Sequence, residues 1–519
     1  MPKSFSNSEP EKDDKPLSDS GNNHNLGAKT VSGGIIVFGA MVVQRLIGLV
    51  ILAVMARLLS PQEYGLLGMV FALTAFLQIF ADMGLPLATV QKDHLTQPQI
   101  STIFWLNLFF GIVLGLATAL AAPLLAQFYR EPILKSVTLL CAINFPLVAL
   151  GAQHGALLQR RMAFGRLAIA EIAGLVAGGT VGIIAALRGY GVFALVAQQL
   201  AGYAVTVVCN WLLAGWLPGM PARKCGVRSM ITFGGYLTAF NFVNYFARNL
   251  DKIFLGRFCG AAPLGLYNRG YALMMFPITM VSSPINRVMI PALSRIQHDL
   301  PRMRVVYIET LKMIGFVSFP IMAWLMVCGS DVIIVVYGQK WTAAAPIFII
   351  LCLVGVWQGI YNATAQVFLA TGRTDKQFKV GLVMALVLAI AFTLGIRGGA
   401  KGIAASYAAA FSLAILPYLA YTYSTVGLRM IVVLRNLWPS FMAAAAMAPF
   451  LWVFQKLVGW WTPLPRLCCS FGVAVPLYFL FSAVVNRVFL VELYRRIATH
   501  LPFSVGRFFC KATTRKRTT

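Results

Sequence analysis

Residues 233–257 read FGGYLTAFNFVNYFARNLDKIFLGR, and their pattern decides what kind of fold the chain can have. A helix needs roughly 20 residues to cross a 30 Å hydrocarbon layer, and this stretch is long enough. It is also too polar to face lipid all round. Asn241, Asn244, Arg248 and Asp251 recur at steps of three and four, which stacks them on one helical face. Leu237, Phe242, Phe246, Leu250 and Phe254 cover the opposite face. A charged side chain at the bilayer centre costs about 2.5 to 3.5 kcal/mol, so the polar stripe is expected to line a wet cavity or a partner helix.

The rest of the chain supports a membrane setting. Its 519 residues are 59% hydrophobic and 11% charged, a balance outside that of soluble globular domains. The formal net charge of +27 is dispersed in short basic clusters between apolar runs. That placement follows the positive-inside rule rather than the footprint of a nucleic-acid binder, so no nucleic-acid partner is expected. There is no P-loop, nucleophile elbow, dinucleotide fingerprint or HExxH pattern. The nine cysteines show no CxxC spacing and mostly sit inside apolar runs, where they read as packing residues. These features predict no enzyme, no cofactor and no metal site.

The chain therefore reads as an all-α polytopic membrane protein with about fourteen transmembrane helices. The expected spans are 31–56, 64–90, 100–128, 134–157, 166–187, 191–215, 230–256, 265–292, 306–329, 343–370, 378–396, 401–426, 437–457 and 467–489. Residues 1–29 hold no apolar run and lack the basic start and small-residue cleavage site of a signal peptide, so a disordered cytoplasmic tail is expected. Loops after even-numbered spans carry Arg160, Arg161, Arg166, Arg223, Arg304, Arg373 and Arg429, and a basic tail occupies 490–519. Both termini are accordingly placed on the cytoplasmic side.

An internal repeat organises these spans. A shift of 200 residues brings Gly34 onto Gly234, Val43 onto Val243, Arg57 onto Arg257, and Gly65 and Leu66 onto Gly265 and Leu266. Ala72, Leu73 and Phe76 then meet Ala272, Leu273 and Phe276. The expected architecture is two six-helix lobes, at 30–216 and 228–426, related by a pseudo-two-fold axis along the membrane normal, with two extra C-terminal helices at 436–489. Polar stripes fall on equivalent helices of both halves. Gln44 and Arg45 mark the first span, Gln78 and Asp82 the second, Arg287 the eighth, and Gln358 and Asn362 the tenth. Such residues often only bond neighbouring helices, at about 0.6 kcal/mol a pair, so each has a structural reading beside a functional one. Arg45, Arg248 and Arg287 outweigh Asp82 and Asp251, which favours an anionic ligand. The planar guanidinium suits phosphate oxygens.

Six motifs carry a resemblance to a known family: ARLLSPQEYG at 56–65, FADMG at 80–84, DKIFLGR at 251–257, LGLYNRGY at 264–271, PALSR at 291–295 and YGQKW at 337–341. Through them the chain resembles the polysaccharide exporters or flippases of the multidrug, oligosaccharidyl-lipid and polysaccharide transporter superfamily. The likeness runs over roughly 30–430 and is loose beyond. It implies a multi-pass protein of the bacterial inner membrane that moves an undecaprenyl-diphosphate-linked oligosaccharide for exopolysaccharide or lipopolysaccharide assembly. Implied partners are that lipid-linked oligosaccharide, membrane lipids, and polysaccharide polymerase and chain-length proteins. The candidate substrate-binding residues are then Gln44, Arg45, Gln78, Asp82, Asn241, Asn244, Arg248, Asp251, Arg287, Gln358 and Asn362. The alternatives are a multidrug or cation antiporter of the same superfamily and a membrane glycan polymerase or ligase. The first needs acidic cavity residues that are scarce here, and the second normally needs a large periplasmic loop.

Overall fold

The computed structural model describes residues 26–82, 89–90, 95–221, 249–296, 298–371, 373–487, 489–492 and 495. Among them no strand occurs. The helices are α1 (Leu26–Leu58), α2 (Pro61–Asp82), α3 (Gln97–Tyr129), α4 (Ile133–Ala142), α5 (Asn144–Arg160), α6 (Phe164–Leu187), α7 (Val192–Ala214) and α8 (249–259). They continue with α9 (Ala261–Arg295), α10 (Leu300–Val327), α11 (Gly329–Tyr337), α12 (Ala345–Ala370), α13 (Thr374–Gly395), α14 (Gly399–Ser424), α15 (Met430–Leu457) and α16 (Pro463–Val485).

Ten stretches among the described residues are long and apolar enough to cross a membrane. One of them, Asp375–Ser424, is two helices, α13 and α14, joined by a 3-10 turn at Ile396–Gly398. The helices α2 and α9 are not among the ten, and α9 carries Asn268, Arg269, Asn286 and Arg287 along its length. The expected span 134–157 is divided in two. Pro146 has no amide hydrogen for the Ala142 carbonyl, and α4 gives way to α5 at Ile143.

The chain forms two compact units. The first comprises Met1–Asn268, Tyr337–Trp341 and Phe392–Ile403. Within it α6 and α7 pack through glycines. A side chain at Gly178 would lie 2.5 Å from the Gln198 carbonyl, and Gly174 abuts Gly202 and Thr206. Gly182, one turn on, lies against Gln198 of α7 and Met55 of α1, and Gly179 admits Ile51 of α1. Small residues at four-residue spacing let helices approach where no hydrophobic effect drives them together.

The start of α2 is locked locally. The Ser60 amide and hydroxyl both donate to Glu63 Oε2, at 2.5 and 2.9 Å, and the Glu63 amide donates back to Ser60 Oγ. This is a capping box with Pro61 at the first helical position. It presents Gly65 to the start of α9. A side chain at Gly65 would overlap the Ala261 carbonyl, and one at Gly265 would overlap the Pro61 carbonyl. The two contacts are mates under the 200-residue repeat, since 61 and 65 correspond to 261 and 265. The contact is reciprocal, each glycine admitting the backbone of the other helix's first turn.

The end of the first helix of each repeat is gripped in a related way. Trp341 Nε1 donates to the Ala56 carbonyl at 2.7 Å, and Lys340 Nζ to that of Arg57 at 3.3 Å. At the mates of these residues, Gly256 packs on the Tyr129 ring and the Arg257 guanidinium lies 5.6 Å from the centre of the Phe128 ring.

The second unit comprises Arg269–Val336, Thr342–Ala391 and Ala404–Thr519. Its centre is α10, which packs on α12, α15 and α16. The Tyr307 hydroxyl donates to Thr364 Oγ1 at 3.1 Å, and Tyr423 joins the same buried group. Tyr478 on α16 donates to the Phe316 carbonyl at 2.9 Å, and Trp324 Nε1 to Ser470 Oγ at 3.1 Å. These bonds fasten α16 to α10.

Candidate functional site

In the first unit the candidates fall on α1, α2 and α8. Gln44 does not stand open on α1: its Nε2 donates to Glu171 Oε2 of α6 at 2.6 Å. Arg45, the next residue, is turned about 100° further round the helix and is exposed. Gln78 is half-buried one turn beyond Thr74, and Asp82 is the last residue of α2. Asn241, Asn244 and Arg248 lie outside the described residues.

Asp251 is buried, and both its oxygens are engaged. Tyr267 of α9 donates its hydroxyl to Oδ2 at 2.7 Å, and the Lys252 amide donates to Oδ1 at 2.8 Å. The Lys252 ammonium turns to Asn249 Oδ1 at 3.0 Å. Asp251 thereby ties α8 to α9. Five residues beyond it lies Gly256, packed on Tyr129 and Met69.

In the second unit α12 carries Gln358, Asn362 and Gln366 at four-residue steps. Gln358 is 5% exposed. Its Nε2 donates to Asn362 Oδ1 at 3.3 Å, while its Oε1 and that of Gln366 find no hydrogen-bond partner among the described residues. Arg287 belongs to α9. The structure therefore brings Gln358 to Asn362, Gln44 to Glu171 and Asp251 to Tyr267. Among the described residues there is no cluster of His, Cys, Asp and Glu able to hold a metal ion.

Two polar features escaped the sequence reading. Asp331 and Arg466 form a buried salt bridge. His154 is fully buried in a box of Phe104, Trp211 and Trp216, stacked on Trp211 at 4.3 Å with Nε2 3.2 Å from the Trp216 carbonyl. Neither leaves a local signal, because the partners are far apart in the chain.

Residues 54–346, more than half of the chain, match the family model described as "Polysaccharide biosynthesis protein". The chain belongs to this polysaccharide biosynthesis protein family. The matched stretch contains the capping box, the Gly65 and Gly265 contact and Asp251. Among curated relatives, the lipopolysaccharide biosynthesis protein WzxC of Escherichia coli (strain K12) is 29% identical over 360 residues, covering 68% of this chain and 72% of WzxC. The teichuronic acid biosynthesis protein TuaB of Bacillus subtilis (strain 168) is 31% identical over 307 residues, covering 59% of this chain and 64% of TuaB. Among solved structures, the lipid II flippase MurJ in an inward closed conformation superposes with a TM-score of 0.72 at 14% identity, covering 88% of this chain and all of that one. At that identity the likeness establishes the fold. This member of the polysaccharide biosynthesis protein family has the fold of a multi-pass membrane transporter.

Proposed function

We propose that the protein flips an undecaprenyl-diphosphate-linked oligosaccharide repeat unit from the cytoplasmic to the periplasmic leaflet of the bacterial inner membrane, by alternating access. The product feeds exopolysaccharide or lipopolysaccharide assembly, beside polymerase and chain-length proteins. The observation that carries this reading is the family match over 54–346 in a chain of apolar helices. It also weighs against the drug antiporter and the polymerase. In this reading Arg45, Arg248 and Arg287 contact the diphosphate or acidic sugars, where charge-assisted bonds to anionic oxygens are strong. Asp82 and Asp251 position those arginines or couple a cation. Gln78, Asn241 and Asn244 supply neutral contacts along the path, and Gln44 does so where it exchanges its bond to Glu171 for one to the substrate.

Deleting the gene in its native host tests the proposal. Lipid-linked repeat units should accumulate on the cytoplasmic leaflet while surface polysaccharide disappears, and the intact gene should reverse both. Units that instead reach the periplasm unpolymerised would place the protein at a later step and overturn the flippase reading.

A further inference from the structure

The carboxamides of α12 have unmet bonding capacity. Gln358, Asn362 and Gln366 occupy one face of a helix that contains no Lys, Arg, His, Asp or Glu between Ala345 and Ala370. From the first to the third the strip rises about 12 Å at 1.5 Å per residue. Gln358 and Asn362 satisfy each other through a single bond, which leaves Gln358 Oε1 unpartnered on a side chain that is 5% exposed. Gln366 Oε1 is unpartnered as well. Next to Gln358, Gly359 faces Ser318 of α10, another buried side chain whose hydroxyl has no partner. A buried polar group without a partner costs about 1 to 3 kcal/mol, so the cluster is matched to something that can bond with it.

The chemistry narrows what that is. A strip with no charge of its own cannot neutralise a diphosphate, and it lacks a carboxylate to hold a cation. Turning both amides end for end would exchange unpartnered acceptors for unpartnered donors without removing them. Hydroxyl groups donate and accept, so they satisfy either arrangement. Building on the flippase reading, we propose that Gln358, Asn362 and Gln366, with Ser318 beside them, form the sugar-reading strip of the transport path. They hydrogen-bond the hydroxyl and amide groups of the oligosaccharide head, and the arginines hold the diphosphate. Specificity for the repeat unit then resides on α12, because a site built to bond hydroxyls rejects a ligand that lacks them.

The test uses the full-length protein in lipid nanodiscs and two probes: the lipid-linked oligosaccharide extracted from the native host, and undecaprenyl diphosphate without sugar. The wild type should bind the first at least about tenfold more tightly, equivalent to 1.4 kcal/mol. Gln358→Met, which conserves volume, and Gln366→Ala, at a half-buried position, should each shrink that ratio severalfold while leaving affinity for the bare diphosphate unchanged. A ratio that survives both substitutions overturns the strip, and so does an equal loss for both probes, which marks a purely structural role. A wild type that binds both probes equally also overturns it. A wild type that binds neither probe sinks the flippase reading itself.

Discussion

Arg466 reaches Asp331 across 135 residues of sequence with two bonds: Nε to Oδ2 at 2.7 Å, and a second from the other fork nitrogen to Oδ1. Its third nitrogen donates to the Gly459 carbonyl at 3.1 Å. The Asp331 side chain is only 4% exposed, so its charge depends on this one partner. Removing a single member of a buried pair typically costs about 3 to 5 kcal/mol, whereas replacing both by apolar residues is far milder. Arg466→Ala should therefore lower the unfolding temperature in detergent markedly, and Asp331→Leu combined with Arg466→Met should recover most of the loss. If the double variant unfolds as early as the single one, the pair does not hold α11 to the start of α16. Neither residue stands out in the sequence, because an ion pair between distant segments has no periodicity to betray it. Asp251 does stand out, yet its partner Tyr267 was equally hidden.

At the scale of elements, the first turns of α2 and α9 meet backbone to backbone at Gly65 and Gly265, an approach that glycine alone permits. Gly65→Ala and Gly265→Ala each place a methyl group where a carbonyl already lies, and overpacking of this kind costs about 1 to 3 kcal/mol. Gly48 on α1 has nothing within 4 Å of an added Cβ, so Gly48→Ala serves as a matched control. Surface polysaccharide should fall in strains carrying either of the first two variants and stay normal with the third, at equal protein abundance in the membrane. The idea fails if Gly65→Ala exports as well as Gly48→Ala. Much at this scale was legible beforehand. The repeat appeared as matched residues at a fixed offset. The division of α4 from α5 was announced only by Pro146, and other prolines of the chain sit within continuous helices. Pro320 and Pro417 are examples.

For the whole molecule, the basic loops do more than follow a topological rule. Arg161 donates to the Ala214 carbonyl at 2.6 Å at the end of α7, and Arg373 to that of Thr425 at 2.5 Å just past the end of α14. Cations at helix C-termini satisfy carbonyls left without intrahelical partners and complement the helix dipole. Both arginines follow the fourth span of their half of the sequence, so these ends should share one side of the membrane, the cytoplasmic one by charge. A fluorescent protein that matures only in the cytoplasm should therefore glow when fused after residue 519, and a periplasmic phosphatase fused there should stay inactive. The reverse result would invert the topology. Apolar runs of spanning length, the repeat and the motifs from 56 to 341 by themselves determined the class of fold and the family, because a bilayer permits few solutions to backbone hydrogen bonding. Only the tertiary structure decided which polar side chains are already spoken for. Gln44 and Asp251 look as unpartnered in the sequence as Gln358 does, and the difference lies in Glu171 and Tyr267, which the folded helices bring to them.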